Sequence, residues 1–195
     1  MVSKEELREI FRLVFCTRRK SHVLLEAFKI DSYRLFISDL LHGEEELDVR
    51  FQKFFDNLGE LDVNLKFDLA GELLHFTFPE KYWLWGRWMW DPGTRTGALP
   101  LVTTEEFDFE ASGWGEKYMK VGKGVAFVHS VAESAGFQFI SRSLYGTDVF
   151  LTCVYVIYAY TVLRMRMTQE FNKIMPGLPE FSRRILGIHK IPEKA

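Results

Sequence analysis

The chain is poor in cysteine, with two in 195 residues. That is too few for a disulfide scaffold or a multi-thiolate metal site. Proline is scarce, at six, and no Gly/Ser/Pro-rich tract separates one domain from another. Neither sign of charge dominates. The 25 Lys and Arg against 27 Asp and Glu leave a net charge of -2, which argues against a protein that coats nucleic acid through bulk charge. Long apolar runs are also missing. The longest uncharged stretch, residues 149–163, would make a helix of only ~22 Å, against about 30 Å of bilayer hydrocarbon. A buried core helix is therefore expected there, not a membrane span. The opening Met1-Val2-Ser3-Lys4-Glu5-Glu6 carries charge where a secretory signal needs an apolar run. Cytoplasmic residence is the expectation, with Cys16 and Cys153 as free buried thiols.

What the chain does have is aromatic mass: 18 Phe, 7 Tyr and 5 Trp. Much of it falls at helical spacing. Ser3 and Glu6 have capping-box spacing ahead of Leu7, Ile10, Phe11 and Val14. A second periodic face runs through Tyr33, Phe36, Ile37, Leu40 and Leu41 to Gly43, and a third through Leu47, Phe51, Phe54, Phe55 and Leu58 to Gly59. Residues 61–69 alternate like a strand, yet Leu61, Leu65, Leu69, Leu73 and Phe76 form an unbroken i, i+4 row. Asp, Asn and Lys suit a strand poorly, so helix is preferred, ending before Pro79. Later helices are expected over 115–135, from Thr147 or Asp148 through Leu163 to Ile174, and over 179–186. The sum is an all-α, single-domain bundle of six or seven helices spanning 1–195, interrupted by an irregular connection over 79–113. An α+β fold with a small strand near 61–69 is the alternative.

The connection carries the clearest signal. Four tryptophans, Trp83, Trp85, Trp88 and Trp90, lie within eight residues, alongside Arg87 and ahead of the turn-rich segment containing Arg95. Eight successive positions cannot all face one core, and each buried indole N–H needs an acceptor. Trp and Arg are also the residues enriched at protein contacts. The expectation is a non-catalytic binding protein, an accessory or scaffolding subunit meeting a protein partner or a second copy through these six residues. No cofactor is expected.

An enzyme reading competes with it. Acid-x-x-His pairs project together from one helix face in carboxylate-bridged di-iron bundles. This chain has Asp39 with His42 and Glu72 with His75, and His129 with Glu133 one turn apart. About 0.7 acid-x-x-His pairs are expected by chance from this composition, so two pairs do not distinguish a ferritin-like site from core-edge histidines. A hydrolase reading of Ser134 with Asp148 and His189 fails because a nucleophile elbow needs a parallel sheet. Charge is partitioned as well: residues 1–30 sum to +3, 31–163 to -9 and 164–195 to +4. A basic face of Arg8, Arg12, Arg18, Arg19 and Lys20 with Arg164, Arg166, Arg183 and Arg184 supports a third reading, nucleic-acid binding through the terminal helices.

Overall fold

The structure is a computed structural model, describing residues 4–13, 21–27, 30–163 and 176–188. Among the described residues it is helical, with no strand beyond an isolated bridge between Asp91 and Thr96. The elements are α1 (Lys4–Leu13), α2 (Ser21–Ala27), α3 (Ile30–His42), α4 (Leu47–Asn57), α5 (Val63–Thr77), α6 (Trp114–Ser134), α7 (Gln138–Ser141), α8 (Leu144–Tyr158) and α9 (Leu178–Ile185). A 3-10 turn, Leu99–Leu101, interrupts the long connection, and α8 continues into a π-helical stretch, Ala159–Leu163. No described helix is long and apolar enough to cross a membrane.

The ambiguous stretch is helix, and its surroundings explain the ambiguity. In α5 every residue from Leu65 to His75 is buried, so the sequence there lacks the polar stripe that marks a surface helix. Asp62 starts it by accepting a hydrogen bond from the Leu65 backbone N–H. One expected start differs. Helix α8 begins at Leu144, with Ser143 as its cap, so Thr147 and Asp148 sit inside it and are buried.

The irregular connection is the filling of the bundle. Rings stack in a continuous column: Phe55 on Trp114 (4.7 Å between centroids), Trp114 on Phe67 (5.4 Å), Phe67 on Trp85 (4.7 Å), Trp85 on Phe51 (6.0 Å), Phe51 on Tyr118 (4.5 Å) and Tyr118 on Trp83 (4.8 Å). The column ties α4, α5 and α6 to the connection. Two glycines make room for it. A Cβ at Gly71 of α5 would stand 2.7 Å from Trp85 O, and one at Gly122 of α6 would stand 2.1 Å from the Trp83 ring. At the other end of α6, Gly113 offers no side-chain cap. Gln52 of α4 supplies it instead, its amide oxygen accepting from Trp114 N at 2.6 Å and Gly115 N at 3.3 Å.

Truncating the column is expected to cost most. Trp85→Ala should lower unfolding free energy by about 3–5 kcal/mol. Gly122→Ala, which adds one methyl against a ring held at both ends, should lower it by ~1–3 kcal/mol. Urea unfolding of the two variants checks both, and a neutral Gly122→Ala would contradict the tight approach described.

Candidate functional site

The six residues of the Trp-rich segment divide into two sets. Trp85 is fully buried and Trp90 is 5% exposed, so neither is available to a partner. Trp85 donates its indole N–H to Trp90 O at 3.0 Å, and Trp90 stacks on Phe109 at 4.9 Å. Trp83 is half-buried and locked by a reciprocal pair: its N–H donates to Tyr118 O at 3.1 Å, and the Tyr118 hydroxyl donates to Trp83 O at 2.9 Å. Trp88, Arg87 and Arg95 face outward to differing extents, Trp88 half-buried near Tyr155 and the two arginines exposed. Of the six, Trp85 and Trp90 thus lie in the core, Trp83 is locked at its margin, and Arg87, Trp88 and Arg95 form an outer edge.

That edge leads into a hydrogen-bonded loop. The Asp91 carboxylate accepts from Gly93 N (2.8 Å) and Thr94 N (3.4 Å). Asp91 N donates to Thr96 O and Arg95 N to Asp91 O, both at 2.8 Å. Gly97 sits at φ +143°, its α-carbon so close to Met89 that a Cβ would meet Met89 O at 2.3 Å. Arg95 itself has φ 55°, the one non-glycine residue at positive φ among the described residues. Its side chain is 75% exposed, with Nε 3.2 Å from Glu110.

The proposed metal ligands do not converge. Asp39 and His42 lie exposed on α3, and Glu133 lies exposed near the end of α6. His129 is half-buried and bonds through Nδ1 to the Thr147 hydroxyl at 2.9 Å. Glu72 and His75 are buried on α5. Among the described residues no three His, Cys, Asp or Glu side chains gather as ligands. Ser134 is exposed at the last turn of α6, while Asp148 is buried against His75; His189 lies outside the described residues, as do Cys16, Arg18, Arg19, Lys20, Arg164 and Arg166. Cys153 is exposed, against the expectation of a buried thiol.

Sequence reasoning missed a buried polar seam between α5 and α8. On α5, Asp68, Glu72 and His75 follow at i, i+4, i+7; on α8, Asp148, Thr152 and Tyr155 do the same. All but the half-buried Tyr155 are buried. At one end His75 Nδ1 lies 2.8 Å from Tyr82 O and Nε2 lies 3.1 Å from Asp148 Oδ2. A carbonyl only accepts, so Nδ1 carries a proton, and a carboxylate beside Nε2 favours a second. Burial works against the charge, but the Asp148 carboxylate and the Tyr82 carbonyl outweigh it, raising the His75 pKa above its ordinary value. At the other end burial pushes Asp68 up to about 7, with Arg87, its Nε 3.3 Å from Asp68 Oδ2, pulling the other way. Asp68 Oδ1, Trp90 Nε1, Asp148 Oδ1 and Thr152 Oγ1 are buried without a hydrogen-bond partner among the described residues. Spacing at i, i+4, i+7 was a readable signal on each helix; the contact of His75 with Asp148 that joins them was not.

A shallow depression of about 300 Å³ lies elsewhere, between the first turns of α4 and α6, lined by Asp48, Gln52, Lys53, Ser112 and Glu116 among others. It touches neither the seam nor the Arg95 loop.

Both seam groups bind protons more tightly when folded than when unfolded, so their linkage has one sign. The His75 contribution is fully present below its unfolded pKa, about 6.5, and is lost as pH rises through its raised folded value. Asp68 lowers stability as pH climbs from about 4 through about 7. Thermal unfolding should therefore show Tm falling from pH 5 to pH 8, and Asp68→Asn should flatten that slope. Asp148→Asn should destabilise the fold by ~3 kcal/mol at neutral pH by stranding His75; denaturant unfolding reads it. Comparison of the chain with family models, curated proteins and solved structures finds no match.

Proposed function

We propose that this protein acts by binding, as a non-catalytic accessory or scaffolding subunit, and that it meets a protein partner through the outer edge of the connection: Arg87, Trp88 and the loop carrying Arg95. One observation supports this reading above the others. Arg95 holds a left-handed backbone, φ 55°, at an exposed position. That conformation costs a non-glycine residue about 1 kcal/mol, and strain of this kind persists where a side chain is needed in a fixed place. The loop's hydrogen bonds fix the Arg95 backbone and Glu110 meets its guanidinium at 3.2 Å, which reduces the ordering cost of association. Trp88 supplies apolar area next to Arg87 in the chain, the residue combination favoured at contact centres.

The test separates function from fold. Arg95→Gly removes the side chain and relaxes the backbone, so it should raise stability by about 0.5–1 kcal/mol. The same variant should weaken recovery of the native partner about tenfold, equivalent to ~1.4 kcal/mol, measured by quantitative co-purification from the source cells. Unchanged recovery would overturn the reading.

A further inference from the structure

The outer face of α8 is apolar where a surface helix is usually polar. Tyr145, Val149, Cys153 and Ile157 form an i, i+4, i+8, i+12 row, and all four are exposed: Tyr145 at 45%, Val149 at 50% and Ile157 at 59%. Phe150 and Val154 flank the row, half-buried. Helix α7 packs against the first turns of α8 and adds Phe139, 84% exposed, with Phe137 just before it at 60%. Contiguous apolar surface of this kind marks an association site.

We propose that this face pairs with the same face of a second copy of the chain, the two α8 helices lying antiparallel about a two-fold axis at Leu151. Three features select a second copy as the occupant. Helix α8 carries one charged residue, Asp148, and that residue is turned inward to His75. The outer row therefore brings no like charges together when paired with itself. The row is also symmetric about the helix midpoint: antiparallel pairing sets Tyr145 against Ile157 and Val149 against Cys153. Its small side chains fall at the centre and its large ones at the ends, the arrangement that lets two helices approach closely where they cross. Finally, pairing carries Phe137 and Phe139 of one copy beyond the α8 row, toward the far end of the partner helix. That widens the contact toward the ~800 Å² per partner that stable dimers bury. A lipid surface fits less well, because the row has no Lys or Arg to meet headgroups. This surface is separate from the Arg95 loop and does not depend on the binding role given to it.

The full chain should sediment as a dimer at ~50 µM, at twice its 22.9 kDa. Val149→Glu, which buries a carboxylate at the axis, should weaken association about 100-fold while leaving the thermal unfolding midpoint in place. Val149→Cys should form an intermolecular disulfide to Cys153 under mild oxidation, identified by mass spectrometry of the linked peptides, and Cys153→Ser should abolish that link. A wild-type monomer at this concentration overturns the proposal, as does a dimer indifferent to Val149→Glu. So does a chain that stays monomeric and floats with neutral phosphatidylcholine vesicles, which would assign the face to lipid.

Discussion

Burying clustered indoles is the constraint on which the rest of this structure depends. An indole is too large to leave a gap around it and carries one N–H that needs an acceptor in a dry core. The chain meets the second demand for Trp83 and Trp85, while Trp90 Nε1 stays buried without a partner among the described residues. Trp85 donates to Trp90 O, and Trp83 exchanges hydrogen bonds with Tyr118. The rings then supply a stacked column that α4, α5 and α6 share. The column fills the space beside the direct contact of α4 with α6, whose backbones meet at Asp48 and Gly115. Glycines at 71 and 122 remove the side chains that would stand in its way.

A core built on this column leaves α5 enclosed on every side, and its polar residues have to find partners in the interior. Lys66 reaches Gly59 O and lies over the Phe55 ring. His75 meets Asp148, and Asp68 meets Arg87 at the margin. Buried ion pairs of this type contribute modestly to net stability, since desolvation offsets their attraction, but losing one partner is costly. The His75–Asp148 pair ties α5 to α8. With the only charge of α8 consumed inside, the helix is left with an outer surface free of charge. The inner polar seam and the outer apolar row are therefore two sides of one arrangement.

Much of the helical pattern was legible. Periodicity located α3 and α4, and Gly43 and Gly59 marked their ends. The i, i+4 row through Leu65, Leu69 and Leu73 located α5, whose cap, Asp62, only the structure identified. What failed were the local signals with more than one use. The acid-x-x-His pairs sit on helices that face different ways, so Asp39 and His42 end on the surface while Glu72 and His75 end in the core. Cys153 looked like a core thiol because its neighbours are apolar, but the apolar face of α8 to which it belongs points outward.

The sequence by itself determined the all-α character, the extent of the irregular connection and the limit that four adjacent tryptophans cannot share one face. Those follow from periodicity, turn residues and steric size, which act over a few residues. Tertiary structure decided which indoles are core and which face is free. It also set Gln52 against the start of α6, 62 residues away, and His75 against Asp148, 73 residues away. Such choices depend on how helices are placed relative to one another, and helix placement is set by the packed rings they share rather than by any local pattern.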